Sequence, residues 1–161
     1  MNLFDKEEIE RIEKDTKRNE LMEDYLSKER EKWTQMVEPL FSCLIFNKDN
    51  STALIESQAT SLSFRQQINE NISYYLNRRS KEEVKLKRLK QEKFVLYAIS
   101  SPLKTNLSEK VILIEGHIAE NQRSLEIIEN YIDFLRSTSK NLESYAYAFK
   151  NVIELMNYIG R

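Results

Sequence analysis

The chain is short of the residues that interrupt regular structure. Its 161 residues include two glycines, Gly116 and Gly160, and two prolines, Pro39 and Pro102. Glycine and proline are the main punctuators of helices and strands, so long uninterrupted elements follow. One cysteine, Cys43, excludes an intrachain disulfide framework and a cysteine-based zinc cluster. With isolated glycines there is no glycine-rich phosphate loop. A single histidine, His117, leaves no second imidazole for a metal set, and no nucleophile–base pair suggests itself. Cys43 reads as a small buried residue within an apolar run. No enzyme and no cofactor is therefore expected. No run of eighteen apolar residues exists, and MNLFDKEEIER lacks the apolar centre of a signal peptide. The expectation is a soluble, cytoplasmic protein that makes no membrane contact.

Charge is abundant instead. Charged residues make up 32% of the chain, with a formal net charge of −1. Such a composition suits long, exposed, paired helices better than one compact core. Residues 1–46 read as a polar N-terminal helix followed by an apolar segment. Ile9, Ile12, Leu26, Trp33 and Val37 form a weak seam, interrupted by Thr16, Asn19 and Arg30. Pro39 predicts a break before LFSCLIF (40–46), which fits either a buried helical turn or a short strand. NKDNST (47–52) is a loop, with Asn50, Ser51 or Thr52 available as a helix cap. The second region, 50–161, predicts a helix over about 52–100, a loop at 101–108 and a helix over about 109–159. Pro102 ends the former, and Ser108 with Glu109 restarts the latter.

The last helix carries the clearest pattern. Val111, Ile118, Leu125, Ile132, Ser139, Ala146 and Ile153 recur seven apart, interleaved with Ile114, Asn121, Ile128, Leu135, Leu142, Phe149 and Met156. Only Asn121 and Ser139 break the apolar seam. Asn121 is either a register-setting residue or a tolerated polar one. The seam demands a partner helix, and a short loop favours an antiparallel hairpin. The fold expected is all-α: a long coiled-coil-like hairpin with an additional N-terminal helix. Off the seam, Ile127, Tyr131, Phe134, Tyr145, Tyr147 and Tyr158 form a second face. The first five predict a homo-oligomer interface; the alternative is that the N-terminal helix covers this face within one chain.

The remaining signal is YYLNRRSKEEVKLKRLKQEKF (74–94). Arg78, Arg79, Lys81, Lys85, Lys87, Arg88, Lys90 and Lys93 stand among only three acids, giving a local charge of +5. At about 100° per residue, Arg78, Lys81, Lys85 and Arg88 fall within about 80° of one another. Fewer acids at i±4 are present than a self-stabilising helix would carry. The run reads either as a solvated face or as a phosphate-binding stripe strengthened by repetition in an oligomer. Tyr74, Tyr75 and Tyr97 flank it, placed for base stacking or for packing.

YLNRRSKEEVKLKRLKQEKFVL (75–96), the loop after it, SLEIIENYIDFLRS (124–137) and YAFKNVIELMNYI (147–159) together resemble the UvsY-type phage recombination mediators. The overlap spans about residues 50–158. The resemblance implies a homo-oligomeric ring of helical hairpins that binds single-stranded DNA. Such a protein loads a RecA-like recombinase onto strands coated by single-strand binding protein, during DNA recombination, repair and replication in a phage-infected cell. Arg78, Arg79, Lys85, Arg88, Lys90 and Lys93 keep the family's basic character at matching positions. Ala98 and Ser100 stand where the family has further basic residues, and SSPLK replaces its tyrosine–glycine segment. The alternative function is a helical structural or adaptor protein, such as a phage assembly factor or host-defence inhibitor, acting through protein contacts alone.

Overall fold

The computed structural model describes residues 6–47, 49–100 and 106–159, the side chains of 98–100 aside. The expected loop therefore lies largely outside the described residues, as do the side chains of Ala98 and Ser100. The chain is all-helical among the described residues: α1 (Lys6–Phe46), α2 (Ser51–Phe94), a π-helical turn (Val95–Ser100) and α3 (Leu107–Ile159). No described helix is long and apolar enough to cross a membrane.

The helix ends follow local chemistry. Glu7 and Glu8 occupy the first turn of α1, where carboxylates complement the exposed amides and the helix dipole. Asn50 caps α2: its Oδ1 accepts the Ala53 N–H at 3.1 Å. Asn106, rather than the expected Ser108, caps α3. Its Oδ1 accepts the Glu109 N–H at 2.8 Å, and Glu109 Oε2 accepts the Asn106 N–H at 3.2 Å, a reciprocal capping box. Pro39 does not break α1, contrary to expectation; it lies inside the helix. It sits on the exposed side, where water can satisfy the carbonyl of Gln35 that loses its bond. Trp33, Val37 and Leu40 are buried on the other side. Proline in a helix costs about 3 kcal/mol, and burying each large apolar side chain returns about 1.5–3 kcal/mol, so continuation wins.

Packing groups the chain across its helices, so a division between 46 and 50 is one of sequence only. One compact unit comprises Met1–Tyr25 and Leu76–Asn130, the other Leu26–Tyr75 and Tyr131–Arg161. In the first, Glu8 meets Lys93 and Met22 meets Arg78, in opposite order along α1 and α2. Glu8 meets His117, Asn19 meets Glu120 and Glu23 meets Arg123, in the same order along α1 and α3. The buried residues of this unit include Met22, Tyr97, Ile114, Ile118 and Ile128, together with the polar Asn19, Glu82, His117 and Ser124. Asn19 Nδ2 donates to the Glu120 carbonyl at 2.7 Å and to its carboxylate at 2.9 Å. Asn19 therefore ties α1 to α3 through its side chain, while Asn121 is only half-buried.

The second unit has a more apolar core. Leu54, Ile68, Leu135, Leu142 and Phe149 are fully enclosed, and Ser61 Oγ donates to the Leu142 carbonyl at 3.3 Å. Ser139, a polar exception on the seam, is half-buried and bonds Asn69 Oδ1 at 3.3 Å. Trp33 meets Phe64 edge-on, with ring centroids 6.1 Å apart.

Candidate nucleic-acid interface on α2

The eight basic side chains of α2 separate into two groups. The separation follows from the helix phase. Leu54, Ser61, Ile68, Tyr75 and Glu82 recur seven apart and are all buried, so they mark the inward line of α2. Positions three and four after Tyr75 flank that line. These are Arg78 and Arg79, and both are half-buried. Arg78 Nη2 lies 3.1 Å from the Met22 sulfur. Arg79 pairs with Glu83 at 2.9 Å and with Glu129 of α3 at 3.0 Å. Lys93, about four turns further along the same side, pairs with Glu8 of α1. These three cations join helices within the first unit.

Lys81, Lys85, Lys87, Arg88 and Lys90 are exposed. Lys85 bonds Glu82 at 2.8 Å, with its own side chain 57% exposed. The other four form no ion pair among the described residues. Glu92 is exposed on the same side of the helix as Lys85 and Arg88 and moderates the field there. Of the flanking tyrosines, Tyr75 and Tyr97 are buried and cannot stack on a base, whereas Tyr74 is exposed. Val84, Phe94, Val95 and Leu96 are each about half exposed beside the lysines, a feature the charge pattern masks in sequence.

The five residues expected at a subunit interface fare differently. Ile127 and Tyr131 are buried within the chain. Phe134 lies under the Arg30 guanidinium, 5.6 Å from its ring centroid. Tyr145 stacks on Phe41, with centroids 3.7 Å apart. In the second unit α1 thus lies over part of Phe134 and of Tyr145, and both are half-buried. Tyr147 alone of the five is well exposed. The physical reason is that α1 supplies Arg30 and Phe41 from positions that look polar or irregular in its sequence.

A buried polar cluster escaped the sequence reading. His117 Nδ1 lies 2.8 Å from Glu8 Oε1, and His117 Nε2 lies 2.5 Å from Tyr97 Oη. The same carboxylate oxygen meets Lys93 and, at 3.2 Å, Arg11. His117 Nε2 and the Tyr97 hydroxyl share one hydrogen bond, in which the tautomer of the ring sets the donor. Burial holds the His117 pKa below its usual value, opposed by the Glu8 charge and reinforced by Lys93. The signal for this cluster was a second row on α3: His117, Ser124, Tyr131, Thr138 and Tyr145 lie seven apart and none is exposed. Cys43 is a free thiol, buried with Leu54 and Phe149. No group of three or more histidine, cysteine or acidic side chains among the described residues is placed to hold a metal ion.

Comparison of this chain with protein-family models, with characterised proteins and with solved structures finds no match.

Proposed function

We propose that the chain is a single-stranded-DNA-binding recombination mediator, acting without covalent chemistry and loading a RecA-like recombinase onto strands held by single-strand binding protein. The observation that carries the DNA-binding part is the cluster Lys81, Lys85, Lys87, Arg88 and Lys90, exposed over about three turns of α2. Such a cluster contacts phosphates and positions a strand without reading its sequence. The recombinase-loading part rests on the resemblance of the α2 and α3 segments. In this reading α2 and α3 form a hairpin, several chains stand side by side, and strand wrapping on their stripes displaces the single-strand binding protein.

The test is affinity for fluorescent oligo(dT) as a function of salt. Each phosphate contact contributes about −0.7 to the slope of log affinity against log salt for single strands. Five contacts give about −3.5 and eight give about −5.6, so the slope distinguishes the exposed set from the whole run. Lys81→Glu with Arg88→Glu should abolish binding while circular dichroism stays unchanged. Absence of binding at about 50 mM salt, or affinity indifferent to salt, rules the reading out.

A second reading, an adaptor acting through protein contacts alone, has one observation in its favour. Residues 6–25 and 107–130 each carry a net charge of −3 in the unit that contains the +5 segment. Arg79 and Lys93 are paired with acids from those segments. Part of the basic run therefore serves the fold.

A further inference from the structure

We propose that the C-terminal end of the basic segment is a docking site for an acidic protein segment bearing an aromatic or large aliphatic side chain. A shallow depression of about 560 Å³ lies on the surface there, lined by Lys87, Lys90, Gln91, Phe94 and Val95. Phe94 and Val95 are 48% and 50% exposed, and Leu96 follows at 47%. Three consecutive half-exposed apolar residues at a helix end mark a surface that gains by being covered. The volume matches the range that accepts a small ligand or one large side chain.

The two lysines decide what kind of occupant fits. Both are exposed and form no ion pair among the described residues. Their aliphatic stems extend the apolar floor while their ammonium groups stay at the rim. A carboxylate on either side of an apolar anchor would meet Lys87 and Lys90 as charge-assisted hydrogen bonds. The backbone adds an independent sign. The helix changes from α to π at Val95. Single π turns are less favourable than α and concentrate at functional positions. Here the turn carries Tyr97 inward onto His117 and leaves Phe94, Val95 and Leu96 outside. A nucleic acid is a poorer fit, because Phe94 offers a single ring and Val95 and Leu96 offer none, whereas single-strand binders stack successive bases on several rings. The proposal does not depend on DNA binding, although Lys87 and Lys90 are common to both.

The test uses the full chain and a fluorescein-labelled peptide, Asp-Glu-Asp-Leu-Phe-Glu-Asp-Asp, with a control in which Leu and Phe become Ser. The parent peptide should bind at least about tenfold more tightly than the control, since a buried apolar anchor alone supplies that factor. Phe94→Ser and Val95→Ser should each weaken the peptide about fivefold, the effect of losing the half of one such side chain still open to cover. Both should leave oligo(dT) affinity unchanged. Lys87→Glu with Lys90→Glu should abolish peptide binding. Equal binding of the two peptides, or no binding of either, overturns the proposal. So does a loss of oligo(dT) affinity in Phe94→Ser with peptide affinity intact, which would make the depression a stacking platform. Loss of oligo(dT) binding in the native chain with peptide binding retained would instead remove only the DNA reading.

Discussion

Replacing Glu8 by Gln keeps the volume of the side chain and removes its charge. In the native chain one oxygen of Glu8 faces Lys93, His117 and Arg11. Arg11 is 39% exposed on its side chain, so its share is of surface order, about 0.5 kcal/mol. Lys93 is different, with a side chain only 12% exposed. Removing one partner of a buried pair leaves the other charge uncompensated, at a cost of about 3–5 kcal/mol. The lower end applies here, because the glutamine carbonyl still accepts a hydrogen bond. A loss of about 3 kcal/mol in a chain of this length lowers the melting temperature by about 6–12 °C. The assay is thermal melting followed by circular dichroism at pH 8, where His117 is neutral. A second variant makes the reasoning testable in its own right. Glu8→Gln with Lys93→Met removes both charges, and should recover most of the loss, because a buried pair and an apolar replacement are close in energy. A Glu8→Gln chain that melts within about 2 °C of the native one would show that the cluster is effectively solvated. A double variant as unstable as the sum of the two single variants would show that the residues do not act as a pair.

Two further predictions follow from the same unit. His117 has its pKa lowered in the fold by burial, so the unfolded chain binds a proton at a higher pH than the folded chain does. Its contribution to stability is therefore complete above about pH 6.5 and declines as pH falls below that value toward the folded pKa, with a slope of at most about 1.4 kcal/mol per pH unit. Denaturant melts of the native chain and of His117→Gln between pH 7.5 and 5.5 check this; parallel stability curves would exclude His117 as the source. Hydrogen exchange should also distinguish the two compact units. The first buries Asn19, Glu82, His117 and Ser124 among its apolar residues, whereas the second buries little that is polar beyond Ser61. Amides of Ile68 and Leu142 should then exchange through a costlier opening than those of Leu86 and Ile118, and equal protection would contradict this.

The parts of the fold that were legible in sequence are those where burial and apolar character coincide. On α3, Ile114, Ile118, Ile128, Ile132, Leu135, Leu142 and Phe149 of the seam are buried, whereas Val111 at its start is exposed. The α2 register was harder to see because Ser61 and Glu82 occupy its inward line. Ser61 is tolerated by giving its hydroxyl hydrogen to the Leu142 carbonyl. Glu82 keeps one oxygen on Lys85. On α1, Asn19 and Arg30 interrupt the apolar seam in sequence, yet both meet α3, through a side-chain amide and through a cation over a ring. Polar residues that cross-link helices carry no hydropathy signal, and the coverage of Phe134 by Arg30 was hidden for that reason; Phe41, which stacks on Tyr145, lies beyond Pro39, where a break in the helix was expected.

The basic segment illustrates the same principle on the functional side. A count of eight cations and three acids treats every side chain as pointing outward. Once Tyr75 is known to face inward, helical geometry alone assigns Arg78 and Arg79 to the flanks of the interface. Their pairing with Met22, Glu83 and Glu129 follows. Any effect of Arg78→Glu on DNA binding would thus mix a lost phosphate contact with a disturbed helix contact. Lys81, Lys87, Arg88 and Lys90 do not carry that ambiguity, because they are exposed and unpaired among the described residues. A charge reversal there changes the surface and leaves the packing of α2 alone. The same reasoning separates Phe94 from Tyr97. Both are aromatic residues at the end of the segment, but Tyr97 holds the His117 ring while Phe94 faces solvent. Only Phe94 can be removed to ask what the outer face of α2 binds.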